Sequence, residues 1–159
     1  AFRLQDVIDQ VVSDFDLVAE ANGVKLRKTE TDIIVESDPV LLRRLLQNLL
    51  SNAIRHAPGA DTLIGCKRRG RNISLIVADN GPGMAPDVAK RVFTAFFRAP
   101  SSAGTRGSGL GLAIVKSVAE AHHGEVYVRS EIDQGSTFGI WIPLIVKEIQ
   151  DIEDAPQKA

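Results

Sequence analysis

Apolar residues recur at Leu4, Val7, Ile8, Val11, Val12, Phe15, Val18 and Ala19, the three-and-four spacing that leaves one apolar stripe along a helix. The spacing predicts an amphipathic helix from Leu4 to Ala21, ended by Asn22-Gly23. Two short β-prone stretches follow: Val24 to Thr29, where Val24 and Leu26 alternate with Lys25 and Arg27, and Ile33 to Glu36. Asp38-Pro39 then offers a capping carboxylate and a first-turn proline to a second helix, predicted to run to about Ala57 and to close at Pro58-Gly59. Leu63 to Arg68 and Ile73 to Asp79 read as strands joined into a hairpin by a turn at Arg69-Gly70-Arg71-Asn72.

Beyond Gly83, Ala85 to Val92 suits a short helix, after which Thr94 to Arg106 loses its period and collects small and polar residues. Gly107 opens a helix predicted to run through His123 and to end at Gly124. Val126 and Val128 alternate with Tyr127 and Arg129, and Phe138, Ile140 and Ile142 with Gly139 and Trp141, predicting two strands around a turn at Asp133-Gln134-Gly135. Residues 1–146 are read as the folded domain and the charged segment 147–159 as a tail or linker stub. Strand pairs separated by helices predict an α/β (α+β) two-layer sandwich, a mixed, largely antiparallel sheet of about five or more strands with about three helices on one face.

Composition narrows the class without naming a function. At 159 residues the chain suits one domain that buries roughly two thirds of the surface its unfolded form exposes. Charged residues at 25% and apolar residues at 44% fit a globular domain, and 19 Lys plus Arg against 20 acids give no basic field that would point to nucleic acid. Cys66, in an alternating segment, has no second cysteine to pair with and is read as a small buried hydrophobe. No apolar run approaches the ~18 residues of a membrane span, and the opening A-F-R-L-Q-D lacks a signal-peptide pattern. The chain itself is therefore expected to be soluble. A chain that opens inside a helical pattern is expected to be a piece of a longer polypeptide.

Three motifs stand in a fixed order: N-L-L-S-N-A-I-R-H (Asn48 to His56), D-N-G-P-G (Asp79 to Gly83) and G-S-G-L-G-L (Gly107 to Leu112). Asn48, Asn52 and His56 fall at i, i+4 and i+8, a slowly drifting polar row beside the stripe of Leu42, Leu46, Leu49, Leu50 and Ala53. Arg43, Gln47 and Ser51 fall on the far side. A carboxamide oxygen in the row could ligate Mg²⁺, or both amides could simply bond to neighbouring backbone. Ile73, Leu75 and Val77 share a strand face, and parity turns Asp79 inward with them. An inward carboxylate needs a partner, either a base-edge amine or the turn it caps, and Gly81 and Gly83 would let backbone approach a flat ring.

Gly107, Gly109 and Gly111, around Ser108 and Leu110, start a helix whose free N–H groups suit phosphates, though a purely structural turn has the same composition. The dinucleotide fingerprint fails because position 112 is Leu, and the Walker pattern fails because Leu110 stands where Lys is required. Together the three motifs supply amides for a cation, a carboxylate for a base edge and backbone amides for phosphates.

The ordered set resembles the ATP-binding catalytic domain of sensor histidine kinases, in the superfamily that also holds DNA gyrase, a heat-shock chaperone and a mismatch-repair protein. The resemblance runs from about Leu4 to Leu144. V-F-T-A-F-F-R (Val92 to Arg98) is similar to the family's phenylalanine box, with Ala95 where Pro is common, and G-S-T-F (Gly135 to Phe138) with W-I-P (Trp141 to Pro143) to its closing glycine box and strand. It implies a Bergerat-type ATP-binding fold with the nucleotide between the Asn helix and a lid, here Thr94 to Arg106. It further implies that Asp79 accepts from the adenine amino group and that Asn48 and Asn52 hold Mg²⁺. Arg55 would approach the phosphates, as a catalytic residue with Asn48, and His56 would lie against the adenine where the family usually has Tyr. Gly81 and Gly83 would border the base, and Gly107, Ser108, Gly109, Leu110 and Gly111 would line the phosphates. Phe96 and Arg98 would be lid-side contacts, with Thr137 completing the nucleotide-binding set.

The same resemblance implies ATP and Mg²⁺ as cofactors. Hydrolysing members carry a Glu at the position of Asn48, and a carboxamide cannot act as a general base, which disfavours direct hydrolysis. Kinases of the family need no such base, because the nucleophile is an imidazole, basic near neutral pH, on another domain. His56, His122 and His123 are the only histidines, and none lies in the H-E-x-x-x-P context of a phosphoacceptor. His122 and His123 close a helix, where imidazole complements the dipole. The expected partners are a dimerisation and histidine-phosphotransfer domain absent from this chain and a response regulator receiver domain, with no nucleic acid, a homodimeric parent and a monomeric isolated domain. The competing readings are an anti-sigma-type protein serine kinase, which is expected to keep an acidic base at position 48, and a non-catalytic nucleotide-binding module.

Overall fold

In chain order the elements are β1 (Phe2–Arg3), α1 (Leu4–Ala21), β2 (Lys25–Lys28), β3 (Ile33–Val35), α2 (Pro39–His56) and β4 (Asp61–Arg69). They continue with β5 (Asn72–Asp79), α3 (Pro86–Ala89), α4 (Gly111–Ala121), β6 (Glu125–Glu131), β7 (Gly135–Ile142) and β8 (Val146–Glu148). This computed structural model describes residues 1–94, 111–143 and 146–148.

Helix α2 is the hub. Its cap forms as the Asp38-Pro39 pair predicts, with Asp38 Oδ1 accepting from the backbone N–H of Val40 at 2.9 Å and of Leu41 at 3.3 Å. Its buried stripe is wider than the spacing suggested. Leu45 and Ile54 are buried with the expected leucines, because α2 touches α1, α4 and the sheet at once. Arg43 and Gln47 lie on the α1 side, where Arg43 Nη2 donates to Asp14 Oδ2 at 2.6 Å and Gln47 Nε2 donates to the same oxygen at 3.3 Å.

The main sheet has five strands in the order β2-β4-β5-β7-β6, antiparallel except for the parallel β2–β4 pair. A parallel pair needs a crossover, and α2 lies in the connection from β2 to β4. The β4–β5 hairpin turns at Gly70-Arg71, with Gly70 at φ 60° where a tight hairpin turn calls for positive φ. Ile64, Ile73, Leu75, Val77, Phe138, Ile140 and Ile142 are buried on the helix side. This architecture is the predicted sandwich, with α1, α2 and α4 as its helical layer.

Several details differ from the sequence expectation. The adjacent stretches β2 and β3 do not pair with each other. β3 lies in a second, three-stranded sheet, order β1-β3-β8, and pairs antiparallel with both neighbours. All three of its residues are buried, which a strand with one wet face could not achieve, whereas β2 is mostly exposed and takes the edge of the large sheet. The strand Val146–Glu148 carries the fold through Lys147 and Glu148, past the expected boundary at 146; backbone pairing to β3, invisible in a charged sequence, places them. The helix expected over Ala85 to Val92 is reduced to Pro86–Ala89. Cys66 is half-buried against the core, and burial pushes its thiol above the ordinary range. Gly107 to Leu110 and the stretch from Ala95 onward to them lie outside the described residues.

Candidate nucleotide site

Three buried β5 side chains, Ile73, Leu75 and Val77, carry Asp79 inward at the end of their strand. Its register partners are Thr62 on β4 and Ser136 on β7. Burial raises the Asp79 carboxyl above the usual carboxylate range, against the pull of the backbone N–H groups of Gly81 and Ser136. The Gly81 N–H donates to Oδ1 at 2.9 Å. Thr62 is 1% exposed, and its hydroxyl has no hydrogen-bond partner among the described residues. A half-satisfied carboxylate beside an unpartnered hydroxyl is a donor–acceptor surface suited to a base edge.

The D-N-G-P-G turn is held from three sides. Asn80 clamps it to β4: its side-chain Oδ1 accepts from the Asp61 N–H at 2.8 Å, while its own N–H donates to the Asp61 carbonyl at 3.2 Å. Gly81 lies against the end of α2, where an added Cβ would stand 2.5 Å from the Ala57 Cβ. Gly83, at φ 70°, packs on the Glu131 carbonyl so closely that any side chain would overlap it. Asp133 N–H donates to the Pro82 carbonyl at 2.7 Å. Ser130 Oγ accepts from the Met84 N–H at 2.8 Å and lies 2.8 Å from Ser136 Oγ and 3.1 Å from the Gly135 carbonyl.

Helix α2 runs past this turn toward the start of α4. Asn52 is buried and Asn48 half-buried, and Asn48 faces Gly111, where an added Cβ would stand 3.9 Å from its Oδ1. His56 is half-buried and Arg55 exposed in the last turn. From Asn48 to His56 the helix rises about 12 Å. One end of the row therefore meets the α4 N-terminus and the other the Asp79 turn.

Asn48 and Gly111 thus meet at one end of the row, Gly81 and Asp79 lie against the α2 terminus just past His56 at the other, and Asn52 stands between the two ends on α2. Thr137 is not among them: it pairs with Ala78 on the opposite face of the sheet, while its neighbour Ser136 pairs with Asp79. Counting back from Phe138, Ile140 and Ile142 selects position 136 by parity. Asn80, Ser130 and Thr62 were also missed, because their roles arise from contacts across strands. Phe96, Arg98, Gly107, Ser108, Gly109 and Leu110 lie outside the described residues. Ahead of them, Phe93 packs edge-on against Phe138 with centroids 6.2 Å apart. His122 has a structural setting, with Nδ1 2.8 Å from the Val118 carbonyl and Nε2 2.7 Å from Ser37 Oγ.

An inward strand-end carboxylate and a glycine turn thus stand over the end of an Asn-bearing helix in a two-layer α/β sandwich. Comparison with known proteins makes the class specific. Residues 37–146 match the family described as histidine kinase-, DNA gyrase B-, and HSP90-like ATPase, and the chain belongs to that family. It is similar to the sensor-like histidine kinase SenX3 of Mycobacterium tuberculosis, 38% identical over 96% of this chain and 38% of the relative. It is also similar to the sensor histidine kinase CusS of Escherichia coli, 40% identical over 89% of this chain and 30% of the relative. Among solved structures, the mycobacterial sensor histidine kinase MprB superposes with a TM-score of 0.81 at 30% identity, covering 90% of this chain and 97% of that one. Full-length ShkA, solved in complex with AMPPNP, superposes with a TM-score of 0.83 at 28% identity, covering 92% of this chain and 31% of that one. The chain is an ATP-binding catalytic domain of the sensor histidine kinase kind, and it spans well under half the length of the curated relatives. Among the described residues, no helix is long and apolar enough to cross a membrane.

Proposed function

We propose that this chain is the phosphodonor unit of a two-component sensor kinase. It would bind Mg-ATP in the corner between α2, the Asp79–Gly83 turn and α4, and pass the γ-phosphate to a histidine on a dimerisation domain elsewhere in the parent. The observation that carries the reading is Asp79, turned inward beside the unpartnered Thr62 hydroxyl at one end of the Asn48–His56 row. In this reading Asp79 accepts from the adenine amino group, and His56 and Gly81 border the ring. Arg55 approaches the phosphates, which meet the α4 N-terminus near Gly111. Asn48 and Asn52 offer carboxamide oxygens to Mg²⁺, which when bound neutralises phosphate charge during in-line transfer. The AMPPNP complex of the similar ShkA supports a nucleotide ligand. Asn48 in place of a carboxylate suits transfer to an external imidazole better than hydrolysis.

On the same reading the unit is a cytoplasmic monomer, its parent a homodimer, and a response regulator receiver domain the next phosphate acceptor. Titration calorimetry with AMPPNP and Mg²⁺ tests the first step, and labelling of a separately made acceptor-helix domain from γ-labelled ATP tests the second. Absence of binding heat, or binding untouched by Asp79→Asn, overturns the nucleotide site. Binding without label transfer overturns the phosphodonor role alone.

A further inference from the structure

Strand parity divides the large sheet into a helix-covered face and an outer one. Ile64, Leu75 and Ile140 face the helices, so Lys67, Ser74 and Trp141 point the other way. On that outer face Trp141 and Tyr127 lie with ring centroids 5.6 Å apart and planes inclined by 30°. The Arg69 guanidinium sits 5.8 Å above the Trp141 ring, and that of Arg129 sits 5.6 Å above the Tyr127 ring.

The stack is built into the backbone. An added Cβ on Gly139 would overlap the Tyr127 ring, so glycine there lets the ring lie flat on the strand. The Tyr127 hydroxyl shares a 2.8 Å hydrogen bond with Ser74 Oγ, which is 3% exposed, and this fixes the ring's direction. Four side chains, Arg69, Trp141, Tyr127 and Arg129, therefore form a preordered strip running from β4 to β6. Three inter-strand spacings separate those strands, roughly 15 Å.

The strip is cationic and accessible. Arg69, Arg129 and the neighbouring Lys67 are exposed, and among the described residues none of the three pairs with a carboxylate. A guanidinium lying over a ring keeps its N–H edge available for a bidentate carboxylate. Trp, Tyr and Arg are also the residue types that dominate binding hot spots when water is excluded around them. Glu125 and Glu131 share the same face of β6, so a continuous polyanion would meet repulsion beside Arg129, whereas a protein segment with spaced carboxylates would not.

We infer that the outer face of the sheet is a docking surface for an acidic protein segment, whose carboxylates engage Arg69 and Arg129 while an apolar side chain covers Trp141. The nucleotide corner lies on the helix side, so the two functions are separable. Trp141 is the chain's one tryptophan, and its emission reports on the strip directly. The test titrates the full chain with an acidic peptide of about eight residues that carries two carboxylates roughly 15 Å apart and one apolar side chain between them, long enough at ~3.3 Å per residue to reach from β4 to β6. Its Gln/Asn counterpart and a single-stranded oligonucleotide of similar length are the comparison arms.

The expected result is a saturable change in Trp141 emission with the acidic peptide only. It should weaken about tenfold from low to moderate salt and at least fivefold in the double variant R69E/R129E, with AMPPNP binding unchanged. The inference is overturned by no saturable change, by equal affinity for the Gln/Asn peptide, or by equal affinity in the double variant. Tighter binding of the oligonucleotide than of the peptide also overturns it, because the face would then select nucleic acid.

Discussion

Thr62 and Asp79 are register partners on β4 and β5, both turned toward the helices, yet no hydrogen bond joins the Thr62 hydroxyl to the carboxylate or to any other described group. A buried hydroxyl left without a partner costs stability, on the order of 1–3 kcal/mol. A ligand edge or an ordered water reaching the pair would recover that cost.

Two substitutions separate recognition from stability. Asp79→Asn is expected to weaken AMPPNP binding on the order of 10- to 100-fold, the range for losing a hydrogen bond to a charged acceptor. Thr62→Val should leave stability unchanged or raise it by about 1 kcal/mol while lowering affinity roughly three- to tenfold. Calorimetry and thermal melts on both variants check this. A Thr62→Val protein that loses stability and keeps full affinity would make the hydroxyl a packing residue only.

Acidity gives a second handle on Asp79. Burial raises its folded-state pKa, so the folded protein holds this proton more tightly than the unfolded chain. Its contribution to stability is complete below the unfolded carboxylate range and is lost as pH rises through the folded value. Melts of the wild-type chain and Asp79→Asn should therefore coincide at acid pH and separate with rising pH, the variant melting higher. A gap that opens in the opposite direction would mean that the carboxylate is stabilised as an anion.

Gly135 and Gly59 both adopt positive φ, at 104° and 78°, but an added Cβ at Gly135 would overlap the Asp79 carbonyl, whereas Gly59 has open space. Gly135→Ala is expected to destabilise by about 1–3 kcal/mol beyond Gly59→Ala and to lower Tm by several degrees more. Because the overlap falls on Asp79 itself, nucleotide affinity should fall with it. Equal melting of the two variants would show that β7 moves away from β5 at little cost.

Ser130 is the expected weak point of the turn. Ser130→Ala removes the acceptor of the Met84 N–H and a contact to Ser136, at a cost of about 1–2 kcal/mol. Amide exchange at Met84 should quicken well before the β4–β5 hairpin is affected. Unchanged protection at Met84 would assign the loop's order to Asn80 and Gly83 instead.

Both long helices, the β4–β5 hairpin and the β6–β7 pair were legible because each rests on a local period or a turn residue that acts within a few positions. Asp79 was legible for the same reason, as parity along one strand is a sequence property. Parity also sets Ser136 beside Asp79 and Thr137 on the other face of β7, whereas the expectation that Arg43 and Gln47 lie on a far side failed because α2 has neighbours on more than one side.

By itself the sequence determined the order of elements from α1 to β7, the α2 cap at Asp38, the inward turn of Asp79 and the absence of a phosphoacceptor motif, since all follow from spacing along one chain. Only the tertiary structure decided that β3 leaves β2 to pair with β1 and β8, that Ser136 and Thr62 flank Asp79, and that Arg69, Trp141, Tyr127 and Arg129 form one strip. Those relationships join residues far apart in the chain, and partner choice between strands is set by which faces can be buried together, a condition no single strand carries in its own pattern.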